Sequence, residues 1–204
     1  MSLHKPIATV VYAPIRDADI SVPLYPKSRY DEVIGCKDPA SGKEKYLVWK
    51  LLEKAVRESL DLEFANLEFT KTENGQWICP DFYFSLSHAD GIVCVALSDE
   101  PIGIDAEPVK EIRPQLEGRI LTDREREQIK NATDEERSEY LLCAWVKKES
   151  IFKKTGGKAL LPNRIDPAEH KTQLRRVLSD GREYIIAVCH DRKDEIEFNY
   201  VEEI

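Results

Sequence analysis

The sequence predicts an α+β protein on three observations. Residues 41–60 carry Leu47, Val48, Leu51, Leu52, Ala55 and Val56 at helical spacing. Several short apolar runs, 92–97 among them, are bounded by turn residues in the way strands are. Each half of the chain supplies helix plus strand signals, which reads as a mixed α+β class.

Taken in order, Ser41 and Glu44 have the spacing of a capping box at the start of the first helix. Strand-like pieces follow at 67–71 and 83–86, with Asn74-Gly75 as a turn between them. Residues 92–97 and 102–106 read as two more strands, joined by Ser98-Asp99-Glu100-Pro101. Two helices then open at Thr122 with Glu125 and at Thr133 with Glu136. The second carries Leu141, Ala144, Trp145, Ile151 and Phe152 and should stop at Gly156-Gly157, where a left-handed cap is cheap. Strands are expected at 172–177, 183–189 and 196–200, with Asp180-Gly181 turning between the first two. Each half supplies helix and sheet, so the chain divides at 1–99 and 100–204.

Composition narrows the function. At 204 residues the chain can bury an ordinary core without disulfides or a structural metal. Its five cysteines are scattered and form no C-x-x-C pair, as expected for a reducing cytoplasm. A net charge of -8 argues against a nucleic-acid partner, which needs a basic face. The start, Met1-Ser2-Leu3-His4-Lys5-Pro6, lacks the form of a leader, and no segment has the length to span a membrane. An anionic ligand remains possible, because salt screens distant charge and leaves the local residues to decide.

Three clusters carry chemistry. In Ile102-Gly103-Ile104-Asp105-Ala106-Glu107, a strand would turn Gly103, Asp105 and Glu107 to one face and the apolar residues to the other. By itself the acid pair is also what an amphipathic strand with a solvated face presents. In residues 145–153, Trp145, Glu149 and Lys153 stand on successive turns of one helix side, which a surface Glu-to-Lys pair would equally satisfy. Lys148, however, falls within the apolar stripe, where mere solvation would not put it. The third cluster is Ser85-Leu86-Ser87-His88 at a strand end, where hydroxyls and an imidazole can hold phosphate, although a lone histidine in a loop is more often just solvated.

In this order and spacing, Ser87-His88, Gly103-Ile104-Asp105-x-Glu107 and Trp145-x-x-Lys148-Glu149-Ser150-x-x-Lys153 resemble the 4'-phosphopantetheinyl transferase superfamily, Sfp type. The resemblance implies two similar α+β halves in a pseudo-twofold arrangement, with coenzyme A in the cleft between them. By the same resemblance, Asp105, Glu107 and Glu149 correspond to magnesium ligands, Lys153 to the lysine at the pyrophosphate, and His88, with Ser87 beside it, to a phosphate contact. Lys45 corresponds to the basic residue at the 3'-phosphate, with Lys27 and Arg29 assisting. Two departures bear on cofactor affinity. Gly75-Gln76-Trp77 stands where Gly-Lys-Pro is common, and Ser85 and Ala89 stand where asparagine and serine are common.

The implied reaction moves the phosphopantetheine arm of coenzyme A to a serine of an apo acyl or peptidyl carrier protein and releases 3',5'-ADP. Glu149 is the candidate general base, and Asp105 and Lys153 complete the catalytic set. A hard cation suits three carboxylates, whereas zinc would ask for histidine or cysteine. Arg113, Arg119, Arg124 and Arg126 are candidates to dock an acidic carrier helix. One chain containing both halves could work as a monomer. Two other classes stay open: a coenzyme A-binding protein without catalysis, and a metal-dependent pyrophosphate hydrolase, although no Nudix pattern of glycines and glutamates is present.

Overall fold

A computed structural model describes residues 8–204; the leaderless start read in residues 1–6 lies outside the described residues. Strand β1 (Ala8–Pro14) is followed by α1 (Lys27–Ile34), the long helix α2 (Pro39–Leu60) and a small hairpin of β2 (Thr70–Lys71) and β3 (Trp77–Ile78). Next come β4 (Tyr83–Ala89), β5 (Ile92–Ser98) and β6 (Gly103–Pro108). After the short helices α3 (Glu117–Ile120) and α4 (Asp123–Gln128), a second long helix, α5 (Asp134–Thr155), leads to β7 (Thr172–Ser179), β8 (Arg182–Cys189) and β9 (Glu197–Tyr200). The expected α+β class holds.

Four layers stack in the order helix, sheet, sheet, helix. The first sheet runs β4-β5-β1-β9 and the second β6-β8-β7. Period-two alternation assigns the faces. Val93, Val95 and Leu97 of β5 pack with Leu47, Leu51 and Val56 of α2. Ile92, Cys94 and Ala96 of the same strand meet Ile104, Ala106, Ile186 and Val188 of the second sheet. On that sheet's outer side, Ile185 and Ala187 contact Leu141 and Val146 of α5. Strand β5 is therefore covered on both faces, which is why all seven of its residues are buried and why it reads as an unbroken apolar run.

The caps show how local signals compete. Thr122/Glu125 and Thr133/Glu136 form capping boxes, and α5 ends on Gly156 at φ 67. Helix α2 starts earlier than Ser41: the Asp38 carboxylate accepts from Ala40 N and Ser41 N, with Pro39 in the first turn. The expected box at Ser41 is thus pre-empted by a stronger acceptor, and Glu44 is freed for other use. Residues 67–71 yield only the two-residue β2. Strands β5 and β6 do not form a hairpin, because β6 pairs with β8 and the connection between them carries the chain from one sheet to the other. Strand β9 also returns, pairing parallel to β1 at Thr9–Tyr12. Residues 172–189 form the expected hairpin, turning at Asp180 (φ 46) and Gly181 (φ 75).

Candidate active site

The candidate residues collect where β4 of the first sheet meets β6 of the second. Ser85 and Ser87 lie on the face of β4 turned to the second sheet, and their hydroxyls take the place of a missing strand partner. Ser85 Oγ accepts from Ile104 N at 3.0 Å, and Ser87 Oγ accepts from Ala106 N at 3.2 Å. Both serines are buried, so these bonds satisfy amides that would otherwise be costly.

On the opposite face of β6, Gly103, Asp105 and Glu107 turn to helix α5, as the alternation predicts. A Cβ on Gly103 would stand 2.0 Å from Ser150 O and 2.5 Å from Lys154 N. The bare glycine therefore lets the helix seat directly on the strand. Helix and strand then match residue for residue. Trp145 Nε1 donates to Glu107 Oε1 at 3.3 Å, and Lys153 Nζ reaches Asp105 Oδ1 at 2.7 Å. Glu149 stands between them, with its carboxyl pushed up to about 7, first by burial and then by the neighbouring charges of Asp105 and Glu107, against the pull of Lys153.

Asp105 is the most enclosed of the acids, at 4 % exposed. Burial raises its pKa, which Lys153 and the Ser87 hydroxyl partly offset. Oδ1 accepts from Ser87 Oγ at 2.9 Å as well as from Lys153, while Oδ2 is buried with no hydrogen-bond partner. Glu107 holds Lys110 Nζ at 2.9 Å through its second oxygen. As placed, no three His, Cys, Asp or Glu side chains among the described residues stand close enough together to hold a metal ion. The donor chemistry nonetheless suits a hard cation. It consists of three carboxylates, one of them with a buried orphan oxygen and another whose proton is held to near neutral pH first by burial and then by the neighbouring acids.

A cationic side faces these acids. Lys153 Nζ also lies 3.2 Å from Ser87 Oγ, and His88, next along β4, points to the α2 side, its Nδ1 3.0 Å from Glu44 Oε2. Burial lowers the His88 pKa, Glu44 raises it, and the charges of Lys153 and Arg29 lower it further. Beyond His88, three cations surround Glu32: Arg29 at 3.3 Å, Lys71 at 3.0 Å and Lys45 at 3.7 Å. Arg29 is buried, stacks over Trp49 with its guanidinium carbon 5.0 Å from the ring centroid, and donates to Lys45 O at 2.8 Å. Trp77 Nε1 donates to Glu32 as well, at 3.1 Å. Lys27 is not brought into this group; it is exposed and paired with Asp31 one turn along α1.

Sequence reasoning missed Glu32, Glu44 and Lys71. Glu44 was spent on a cap that does not form, and Glu32 and Lys71 lie in short elements with no periodic signal. Lys148, part of the quoted helix motif, points away from the site. It is fully buried and donates to Glu125 Oε2 at 2.5 Å and to Ile120 O at 2.7 Å. Its place in the apolar stripe is thus a structural tie between α5 and α4. Two hollows adjoin the site. One of about 280 Å³ lies between the hairpin and the end of α5, bordered by Gln76, Phe84, Phe152 and Lys153. Another of about 800 Å³ begins at Glu107 and is lined by Ile112, Leu116, Ile120 and Trp145, with Arg113 and Arg119 on it. Arg124 pairs with Asp166 and Arg126 with Asp123 instead.

Known proteins resemble this chain, in part over the segment that carries the acids. Residues 101–198 match the model of the 4'-phosphopantetheinyl transferase superfamily. The 4'-phosphopantetheinyl transferase ffp of Bacillus subtilis is 29% identical over 115 residues, 55% of this chain and 51% of that protein. Sfp of Bacillus subtilis strain 168 is 28% identical over the same length and shares. A further 4'-phosphopantetheinyl transferase of Bacillus subtilis is 26% identical over 176 residues, 76% of this chain and 78% of that protein. The alignment thus spans about half the length of the first two relatives. No helix among the described residues is long and apolar enough to cross a membrane. The matched segment contains β6 and α5, the two elements that bring Asp105, Glu107, Glu149 and Lys153 together, and over that segment the chain is similar to the 4'-phosphopantetheinyl transferase superfamily and its Sfp-type members.

Proposed function

We propose that this protein transfers the 4'-phosphopantetheine arm of coenzyme A to a serine of an apo acyl or peptidyl carrier protein, in the cytoplasm and as a monomer. The observation that carries the reading is the junction of Lys153, Ser87 and Asp105, where a cationic side suited to phosphates meets an acidic side suited to a hard cation. In this reading the division at 99/100 separates the half holding the nucleotide end from the half holding the acids.

Arg29, Lys45 and Lys71 would receive the 3'-phosphate, with His88 and Lys153 along the diphosphate. Asp105, Glu107 and Glu149 would hold magnesium, which when bound supplies charge neutralisation at the diphosphate. The carrier serine oxygen forms a bond to the β-phosphorus as the bond from that phosphorus to the bridging oxygen breaks, and 3',5'-ADP leaves. Glu149, on the rigid helix α5 beside the other two acids, is placed to take the serine proton. Lys153 steadies the charge that develops on the departing phosphate, and most of the rate arises from this placement.

The carrier would dock in the groove that starts at Glu107, its apolar floor at Ile112, Leu116 and Trp145 and its charge partners at Arg113 and Arg119. Reversal of both arginines should raise the Michaelis constant for the carrier. Loading is tested directly by the mass shift of an apo-carrier incubated with coenzyme A and magnesium. The departures at Gln76 and Ala89 leave room for one other reading, coenzyme A binding without transfer. An unshifted carrier together with measurable coenzyme A binding would select it.

A further inference from the structure

The hairpin of β2 and β3 belongs to neither large sheet, yet it is fastened at both ends. Lys71 Nζ and Trp77 Nε1 both donate to Glu32 Oε2. At its tip, Asn74 Nδ2 donates to Gly156 O at 3.0 Å, and Gln76 Nε2 donates to Lys153 O at 3.1 Å. The tip is internally braced, because Thr72 N bonds Gln76 O at 2.8 Å, Gly75 N bonds Thr72 O at 2.9 Å and Gln76 N bonds Thr72 Oγ1 at 3.1 Å. Gly75, at φ +82, permits that turn.

Carbonyls in the last turn of a helix have no intrahelical partners and must be satisfied from outside. In α5 the Phe152 carbonyl accepts from Gly156 N, and the next one, of Lys153 itself, accepts from Gln76. We infer that Gln76 is a positioning residue for Lys153. Its side chain, set by a braced hairpin, holds the helical turn from which Lys153 reaches between Ser87 and Asp105. The same hairpin is tied to the Glu32 cluster, so the turn carrying Lys153 is joined to the cationic end of the cleft. The amide at position 76 thereby keeps a donor aimed at this carbonyl. The inference rests on the transferase reading.

The chemistry required is a donor, so two substitutions separate the possibilities. Q76E keeps the shape but turns a carboxylate acceptor toward the carbonyl. Q76K restores an N–H donor and places a cation at a helix C-terminus, where it is favoured. Loading of an apo-carrier, with kcat, both Michaelis constants and Tm, is measured for the wild type, Q76E and Q76K. The expected result is a fall in kcat of about tenfold or more for Q76E at nearly unchanged carrier KM, rescued to within about threefold by Q76K, since small misplacements of a catalytic group cost this much or more. An active wild type with unaffected kcat in Q76E overturns the inference alone. So does equal loss of kcat and Tm in Q76E and Q76K, which marks a purely structural role. A wild type that leaves the carrier unloaded overturns the transferase reading and this inference with it.

Discussion

Lys153 Nζ lies 2.7 Å from Asp105 Oδ1 across the seam between helix α5 and strand β6. The ammonium thus balances a carboxylate that is 4 % exposed and whose other oxygen has no partner. Lys153→Ala should lower carrier loading at least about a hundredfold, the scale of losing a preorganised charge contact. Single-turnover loading at saturating coenzyme A checks this; near-normal turnover refutes the assigned role.

Glu149 should couple stability to pH. Its folded pKa of about 7 lies above the ordinary 4.5, so between these values the folded chain binds more protons than the unfolded one. The associated stability is complete below about pH 4.5 and is lost as pH rises through about 7. Glu149→Gln carries no charge to lose. In chelator-treated protein its Tm advantage over wild type should therefore open between these limits and level off above them, while loading falls at least about a hundredfold. A Tm difference that is flat with pH would show that burial and the neighbouring acids do not raise the Glu149 pKa.

The parts of the fold set by neighbours in sequence were legible. The boxes at Thr122 and Thr133, the stop at Gly156 and the turn at Asp180-Gly181 each depend on a few adjacent residues. The parallel pairing of β9 with β1 was not legible, since nothing in either strand names a partner so distant in sequence. The site divides in the same way. Alternation along β6 and helical spacing along α5 placed Asp105, Glu107, Glu149 and Lys153 on facing sides. The convergence of Arg29, Lys45 and Lys71 on Glu32 comes from three separate elements, and no periodicity encodes it. Lys148 was the instructive error of emphasis. A lysine in an apolar stripe did signal a buried partner, but the partner is Glu125.

Lys148→Met should therefore test folding and not chemistry. Removing one member of a buried pair leaves the Glu125 carboxylate enclosed without its cation, at a cost of about 3 to 5 kcal/mol. Burial lowers the Lys148 pKa while Glu125 raises it, so the ammonium depends on that carboxylate. Denaturant unfolding should show the loss, and the fraction still folded should load the carrier with near wild-type kcat. A specific fall in kcat at unchanged stability would move Lys148 into the active site.

Gly103 sets the distance between the two elements that carry the acids. A methyl group there would stand 2.0 Å from Ser150 O and 2.5 Å from Lys154 N, both backbone atoms that no side-chain rotation can clear. Helix α5 would have to lift from the strand, and Trp145, Glu149 and Lys153 would lift with it from Glu107 and Asp105. Gly103→Ala should thus destabilise by about 1 to 3 kcal/mol through overpacking and lower loading about a hundredfold through displacement of the catalytic groups. At Gly118 a Cβ would meet only an Arg126 guanidinium nitrogen, at 3.6 Å, so Gly118→Ala is the control and should change neither quantity. Comparable loading by the two variants would mean that the close seat of α5 on β6 does not govern the site.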